Sequence, residues 1–256
     1  MDYVKNSFLI FKTNLNLKTE LEFKEYLKRE CLNNGFFLTK EQADDMIEFL
    51  KILTKENEKF NLTSIINFED MVFKHIIDSL MIFKVIDVNK NMNLLDVGAG
   101  AGFPSTPIAI LQKFKDIVQI DCLKKRINFL EDVAKRLKLN VKAYHARAEE
   151  AAKNKQFREK FDVVTARAVA KLNVLCELCI PFVKPNGMFV ALKGPDYEKE
   201  LEGLEKSIKL LAAKIKEIKI FKTTNGLTRV LILIEKISHT SPKYPRNFSK
   251  ILKNPI

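Results

Sequence analysis

The feature that most limits what this chain can fold into is a short aliphatic run that passes without a break into three alternate glycines: Asn93-Leu-Leu-Asp-Val-Gly-Ala-Gly-Ala-Gly-Phe-Pro104. Leu94, Leu95 and Val97 read as a buried strand. Gly98, Gly100 and Gly102 allow a tight turn whose backbone a ligand can approach with no Cβ in the way. Pro104 is placed to be the first residue of a following helix. Strand, glycine turn and helix in this order put a ligand at the carboxyl ends of the strands of an open α/β sheet. Nineteen residues past Gly102, at the end of the next aliphatic run, stands Asp121, whose carboxylate suits the hydroxyls of a ribose.

Dinucleotide enzymes share this layout, so the loop alone leaves the ligand open. Here the glycines fall at every second position rather than in the G-x-G-x-x-G spacing, and Asp96 precedes them. Both features favour S-adenosylmethionine, a nucleoside cofactor with no pyrophosphate to cradle. Ala148-Glu149, after the third strand, stands where a backbone amide would read the adenine edge. Glu149 equally suits the first turn of a helix, where a carboxylate meets the positive end of the dipole.

The rest of the chain extends this pattern. Strands are predicted at 93–97, 117–121, 141–145, 161–166, 188–193, 218–222 and 228–235. Helices are predicted at 104–114, 123–139, 148–155, 170–182 and 196–213. Alternating strands and helices imply a parallel sheet covered on both faces, because a parallel connection must cross over. Residues 223–227 are too few for a crossover, so the last two strands should form a hairpin turning at Asn225-Gly226. The predicted fold is therefore α/β and Rossmann-like, a class I methyltransferase sheet of seven mostly parallel strands with the last antiparallel. Residues 1–90 read as a helical subdomain, with Leu21, Phe23, Tyr26, Leu27 and then Ala43, Met46, Ile47, Phe49, Leu50 and Leu53 at helical spacing. Thr39 and Gln42 form a capping-box pair. The cofactor domain should span 91–237 and a basic tail 238–256.

The net charge of +12 points to a polyanionic partner. From residue 193 onward there are fourteen Lys or Arg against seven Asp or Glu, so the last quarter carries +7 of that excess. A solvated lysine-rich surface has the same composition. Lys124, Lys125 and Arg126 open the helix after Asp121, where cations oppose the helix dipole; a phosphate ligand or a solvated charge run accounts for them. The longest aliphatic run, 230–234, is far too short to span a membrane. Residues 1–12, with an apolar stretch only at 8–11, lack a cleavage pattern. A cytoplasmic protein is expected. Of the four cysteines only Cys176 and Cys179 are closely spaced, on one face of a predicted helix; they read as buried apolar residues, and no metal is expected.

Several motifs together resemble the bacterial ribosomal RNA small-subunit methyltransferase G family, also called the glucose-inhibited division protein B family. They are Phe60-Asn61-Leu62-Thr63-Ser64-Ile65, His75-Ile-Ile-Asp78-Ser79-Leu80, the glycine loop through Phe103-Pro104, Lys124-Lys125-Arg126-x-x-Phe129-Leu130, Arg147-Ala148-Glu149-Glu150, Thr165-Ala166-Arg167-Ala168 and Leu192-Lys193-Gly194. The first two lie upstream of the loop and are not general to the fold. The resemblance implies methylation of a guanine N7 in small-subunit ribosomal RNA, acting on that RNA or on a ribosomal particle; a monomer is expected. It implies a cofactor site including Gly98, Phe103, Ala148, Glu149 and Arg167. The tail, Pro245-Arg246-Asn247-Phe248-Ser249-Lys250, departs from the Pro-Arg-Lys-Ala-Gly-Thr-Pro of many relatives, and with it the expected RNA contacts of this segment.

The residues agree with a ring-nitrogen target. N7 of guanine has a free lone pair and loses no proton, so alignment is the main requirement. The fourth strand ends Val164-Thr165-Ala166-Arg167-Ala168, without the Asn/Asp-Pro-Pro-aromatic motif of exocyclic amine methylation, and no cysteine follows a proline as C5 chemistry on cytosine requires. Arg167 suits the cofactor's carboxylate, the target base or a structural ion pair. His75 and Asp78, three apart, share a helix face and read as a polar pair packing the N-terminal helices onto the cofactor domain. The competing readings are a methyltransferase acting on a small molecule or a protein, a nicotinamide-dependent oxidoreductase, and a non-catalytic RNA-binding module.

Overall fold

The computed structural model describes residues 11–15 and 19–256. The stretch at 8–11 lies outside these except for Phe11, which is buried. Two helices come first, α1 (Glu20–Asn33) and α2 (Lys40–Phe60), and each opens on a capping box, Thr19 with Glu22 and Thr39 with Gln42. Such boxes satisfy amide donors that the first helical turn leaves unpaired. Phe23, Tyr26, Leu27 and the six predicted positions of α2 are buried, whereas Leu21 is exposed. A third helical rod follows: α3 (Phe68–Met71), a π-helical stretch (Val72–Ile77), α4 (Asp78–Leu80) and a 3₁₀ turn (Met81–Lys84).

The sheet has seven strands: β1 (Asn93–Val97), β2 (Asp116–Asp121), β3 (Val141–His145), β4 (Phe161–Arg167), β5 (Val183–Lys193), β6 (Ala213–Lys222) and β7 (Thr228–Lys236). Their order is β3-β2-β1-β4-β5-β7-β6. The first five strands are mutually parallel; β7 enters antiparallel between β5 and β6. From β1 the chain goes to β2 on one side and later returns as β4 on the other. That reversal opens a crevice beyond the carboxyl end of β1, where the glycine loop begins.

Side chains of the central strands alternate across the sheet, apart from a register shift between Phe161 and Val163. Leu94, Val163, Met188 and Leu231 join α1 to α4, α5 (Ser105–Ile110) and α6 (Lys124–Arg136) in one apolar cluster. Leu95, Val164, Phe189 and Ile232 join α8 (Leu172–Cys179) and α9 (Leu204–Leu210) in the other. The N-terminal helices thus share a continuous core with one face of the sheet. The 230–234 run is the middle of β7, flanked by strands and buried on both faces.

Several element ends differ from the sequence reading. The single helix expected over 196–213 is a 3₁₀ segment (Pro195–Glu200) followed by α9, because Gly203 turns the chain at φ +72° and Ala213 already belongs to β6. Pro104 caps α5 rather than opening it, α5 ends six residues on, and α7 is one turn, Ala148–Ala151. The hairpin loop is three residues, closed by Thr223 and Leu227, with Gly226 at φ +82°. Asn34 clasps that loop through Thr224, at 3.0 and 3.1 Å.

Residues 238–256 fold back onto the α8 face. Tyr244 and Ile251, the latter on α10 (Phe248–Lys253), are buried there. Arg246 grips the fully buried Glu177 of α8 through its backbone N–H at 2.8 Å and its guanidinium at 2.6–3.1 Å. Its charge is therefore matched inside the protein. Cys176 and Cys179 are buried, and burial pushes both thiols up.

Candidate functional site

The three loop glycines do different work. All have positive φ, +71°, +56° and +92°. A Cβ on Gly98 would meet Val169 Cγ2 at 2.6 Å, and one on Gly102 would meet Thr106 Oγ1 at 2.5 Å. Those two positions let neighbouring elements pack closely. At Gly100 the same test finds only the Gly98 carbonyl, at 3.8 Å, so its Cα faces open space. This is the point where a ligand can lie against the backbone.

Asp121 ends β2 beside this opening and is buried. Its Oδ2 accepts from Gly100 N–H (3.0 Å) and from Arg126 Nη1 (3.2 Å); its Oδ1 accepts from Leu123 N–H (2.9 Å). The acid therefore shapes the loop as well as facing the opening. Arg126, read from the sequence with Lys124 and Lys125 as a phosphate contact or a solvated charge run, pairs with Asp121, while the two lysines are exposed. The β2/β3 register sets Asp121 beside His145, and Ala146 N–H donates to the Asp121 carbonyl at 3.1 Å. That tie brings Ala148 and the buried Glu149 to the same end of the sheet.

Behind the loop, Asp96 is fully buried. It accepts from the Ser105 hydroxyl (2.5 Å), the Ser105 N–H (3.3 Å) and the Thr165 hydroxyl (3.0 Å), and Gln119 donates to Ser105 Oγ in turn. Burial raises its carboxyl to about 6, against the pull of those hydroxyls and of Arg167. This cluster ties β1, β2 and β4 to α5.

Arg167 leaves the end of β4 for the N-terminal helices. Its Nη1 donates to the Lys74 carbonyl (2.8 Å) and Asp78 Oδ2 (2.9 Å), and its Nη2 to His75 Nδ1 (3.0 Å). Arg229 of β7, which no sequence pattern marks, takes the other oxygen of Asp78 at 2.9 Å. His75 and Asp78 do pack the helices onto the sheet, by sharing Arg167. The Phe103 ring stacks on His75, with centroids 4.1 Å apart, and lies under the guanidinium at 5.1 Å. It is buried against Phe49 as well, so its side chain is a packing element. The Nε–H and one Nη2–H of Arg167 take no part in these three bonds.

His75 Nδ1 accepts from Arg167, so Nε2 carries the hydrogen and donates to Thr63 Oγ1 at 3.0 Å. Burial first, then the charge of Arg167, push its pKa down to about 3. The unfolded chain then binds one more proton between about 3 and 6.5. This contribution to stability is complete above 6.5 and is lost as pH falls toward 3. The stability gap between wild type and His75→Gln should therefore narrow by about 2 kcal/mol between pH 7.5 and pH 5. Urea unfolding at both values measures it, and a gap independent of pH would mean that His75 is charged or exposed.

A family model described as rRNA small subunit methyltransferase G matches residues 42–231. The ribosomal RNA small-subunit methyltransferase G of Clostridium tetani is 39% identical over 238 residues, 92% of this chain and 100% of the relative. That of Clostridium beijerinckii is 41% identical with the same coverage. The chain belongs to the rRNA small-subunit methyltransferase G family. Among solved structures, the branched-chain polyamine synthase of Thermus thermophilus aligns at TM-score 0.53 and 12% identity, over 68% of this chain and 58% of that one. A transferase from Pyrococcus horikoshii aligns at 0.51 and 15%, over 63% and 62%. At such identities these two show the sheet architecture alone. The two side chains that bind Arg167, His75 and Asp78, lie in the His75–Leu80 motif.

Proposed function

We propose that this protein transfers the methyl group of S-adenosylmethionine to N7 of a guanine in small-subunit ribosomal RNA, acting in the cytoplasm as a monomer. The observation that carries the reading is the cradle at Gly100: an open backbone surface held by Asp121 at the sheet's switch point, in a chain of this family. When bound, S-adenosylmethionine supplies a methyl group already activated by its sulfonium. Asp121 Oδ1 keeps a lone pair for a ribose hydroxyl, and the Ala148-Glu149 turn flanks the adenine side. Gly100 lets the cofactor lie against the loop.

The site's titratable groups are poorly placed to remove a proton. His75 is held neutral between two partners, and Asp96 is enclosed by hydroxyl donors. A target that loses no proton suits such a site. Alignment of nucleophile, methyl and sulfur then provides the acceleration, with effective molarities on the order of 10⁵ M or more. Among the described residues no helix is long and apolar enough to cross a membrane. Tritiated S-adenosylmethionine, the purified protein and small ribosomal subunits from cells lacking it should yield labelled 7-methylguanosine on nucleoside analysis. Label in another nucleoside, or none, would overturn the reading.

Lys124 and Lys125 are exposed cations on the first turn of α6, just after Asp121. Replacing both with Ala should lower the slope of log RNA affinity against log salt by up to roughly 1.4, at about 0.7 per single-strand phosphate contact. Cofactor affinity should stay unchanged, because neither lysine touches Asp121. Replacing Arg126 should instead weaken the cofactor. Filter binding across a salt series measures the slope; an unchanged slope would make the lysines a solvated surface.

A further inference from the structure

Three exposed large apolar residues stand on or beside the segments that form the cradle: Phe60 (39% exposed), Leu123 (40%) and Val169 (41%). Val169 lies over Gly98, and Leu123 N–H bonds Asp121. Phe60, the last residue of α2, carries Lys125 Nζ 5.9 Å from its ring centre. The turn after it is rigid. Asn61 ends the helix at φ +48°, Asn57 clasps Thr63 through both Thr63 N–H (2.8 Å) and its carbonyl (2.9 Å), and the Thr63 hydroxyl meets His75. An exposed aromatic ring thus stands at the end of α2, next to a turn tied through Thr63 to His75, with the Lys125 ammonium at its side.

An exposed phenyl ring beside an unpaired lysine, at the edge of a polar cradle, matches one ligand chemistry well. An unpaired nucleobase offers a flat face to the ring, and its phosphate offers a charge to the lysine. We propose that Phe60 is a stacking platform for an unpaired base of the RNA substrate, with Lys125 holding the adjoining phosphate. This rests on the RNA-methylating reading above. It assigns Phe60 to substrate positioning and not to the cofactor. Stacking on an aromatic ring tolerates any base, so Phe60 sets how RNA is held, while the sequence at the target is read elsewhere.

The test uses the full chain and small ribosomal subunits from cells lacking the protein, alongside RNA extracted from them. Phe60→Ala and Phe60→Leu should each raise the Michaelis constant for RNA by roughly 10- to 100-fold, the range that loss of one base–aromatic stack implies. Phe60→Tyr should stay near wild type. S-adenosylhomocysteine affinity and melting temperature should be unchanged in all three. The salt slope of RNA binding should also be unchanged in Phe60→Ala, whereas Lys125→Ala lowers it. Wild-type behaviour of Phe60→Leu would replace stacking by simple apolar contact and overturn the inference. A parallel loss of S-adenosylhomocysteine affinity would place Phe60 on the cofactor and overturn it equally. If the wild-type protein methylates neither RNA substrate, the functional reading fails first and this inference falls with it.

Discussion

Gly100→Val is expected to abolish S-adenosylmethionine binding while the protein stays folded. The protein itself has room for the side chain, since a Cβ there would meet only the Gly98 carbonyl at 3.8 Å. The cost to the fold is the left-handed backbone at φ +56°, which a β-branched residue adopts at about 1–2 kcal/mol. A chain of this size withstands that. The cofactor does not, because the isopropyl group fills the space against which it lies. Titration calorimetry with S-adenosylhomocysteine should show affinity reduced at least about 100-fold, equivalent to about 2.7 kcal/mol. Alanine at Gly98 or Gly102 should behave differently and reduce stability, since the new methyl would strike Val169 or Thr106. Wild-type affinity in a folded Gly100→Val protein would remove Gly100 from the cofactor site.

The other large effect is expected at Arg167. Its guanidinium joins β4 to Lys74, His75 and Asp78, so Arg167→Ala leaves a mostly buried Asp78 with Arg229 as its remaining cation. Breaking a fully buried pair costs about 3–5 kcal/mol; here partial exposure and the second arginine reduce that to about 2–3 kcal/mol. Turnover should fall at least tenfold, or about 1.4 kcal/mol of transition-state stabilisation. Arg167→Lys should rescue neither, because an ammonium cannot span His75 and Asp78 as a planar fork does. A raised Michaelis constant for cofactor with turnover kept would put the free edge of Arg167 on the cofactor, and lost turnover with cofactor affinity kept would put it on the base. Wild-type melting and wild-type rate in both variants would contradict both roles.

These two residues also show what the sequence made legible. Gly100 lies in the loop after β1 and Asp121 ends the adjacent β2 of the same supersecondary unit, so their meeting follows from spacing. The sheet was readable for a similar reason: a strand buried on both faces reads as an uninterrupted aliphatic run, and helices must separate parallel strands. Arg167 was readable as a residue and not as a network. Its partners come from the helical stretch around His75 and Asp78, which Arg229 of β7 joins through the other oxygen of Asp78, and nothing local in the chain announces that those segments meet. Part of the charge excess of the last quarter is matched by acids from elsewhere in the fold, which composition does not show. Lys193, Arg229, Lys236 and Arg246 each face an acid, Glu200, Asp78, Glu159 and Glu177, and these pairings hold the sheet and tail together. The helix read over 196–213 kept its apolar spacing, with Leu204, Ile208 and Leu211 buried. What broke it was one glycine in left-handed conformation, which periodicity does not register.

N7 methylation of one guanine in small-subunit ribosomal RNA is the reaction this cradle is proposed to serve. The most direct measurement is to map 7-methylguanosine along that RNA, by borohydride reduction and aniline cleavage, in cells with the protein, without it, and with only its Gly100→Val form. The account predicts one cleavage site present with the wild-type protein and absent from the other two. The same cleavage pattern in all three would contradict it.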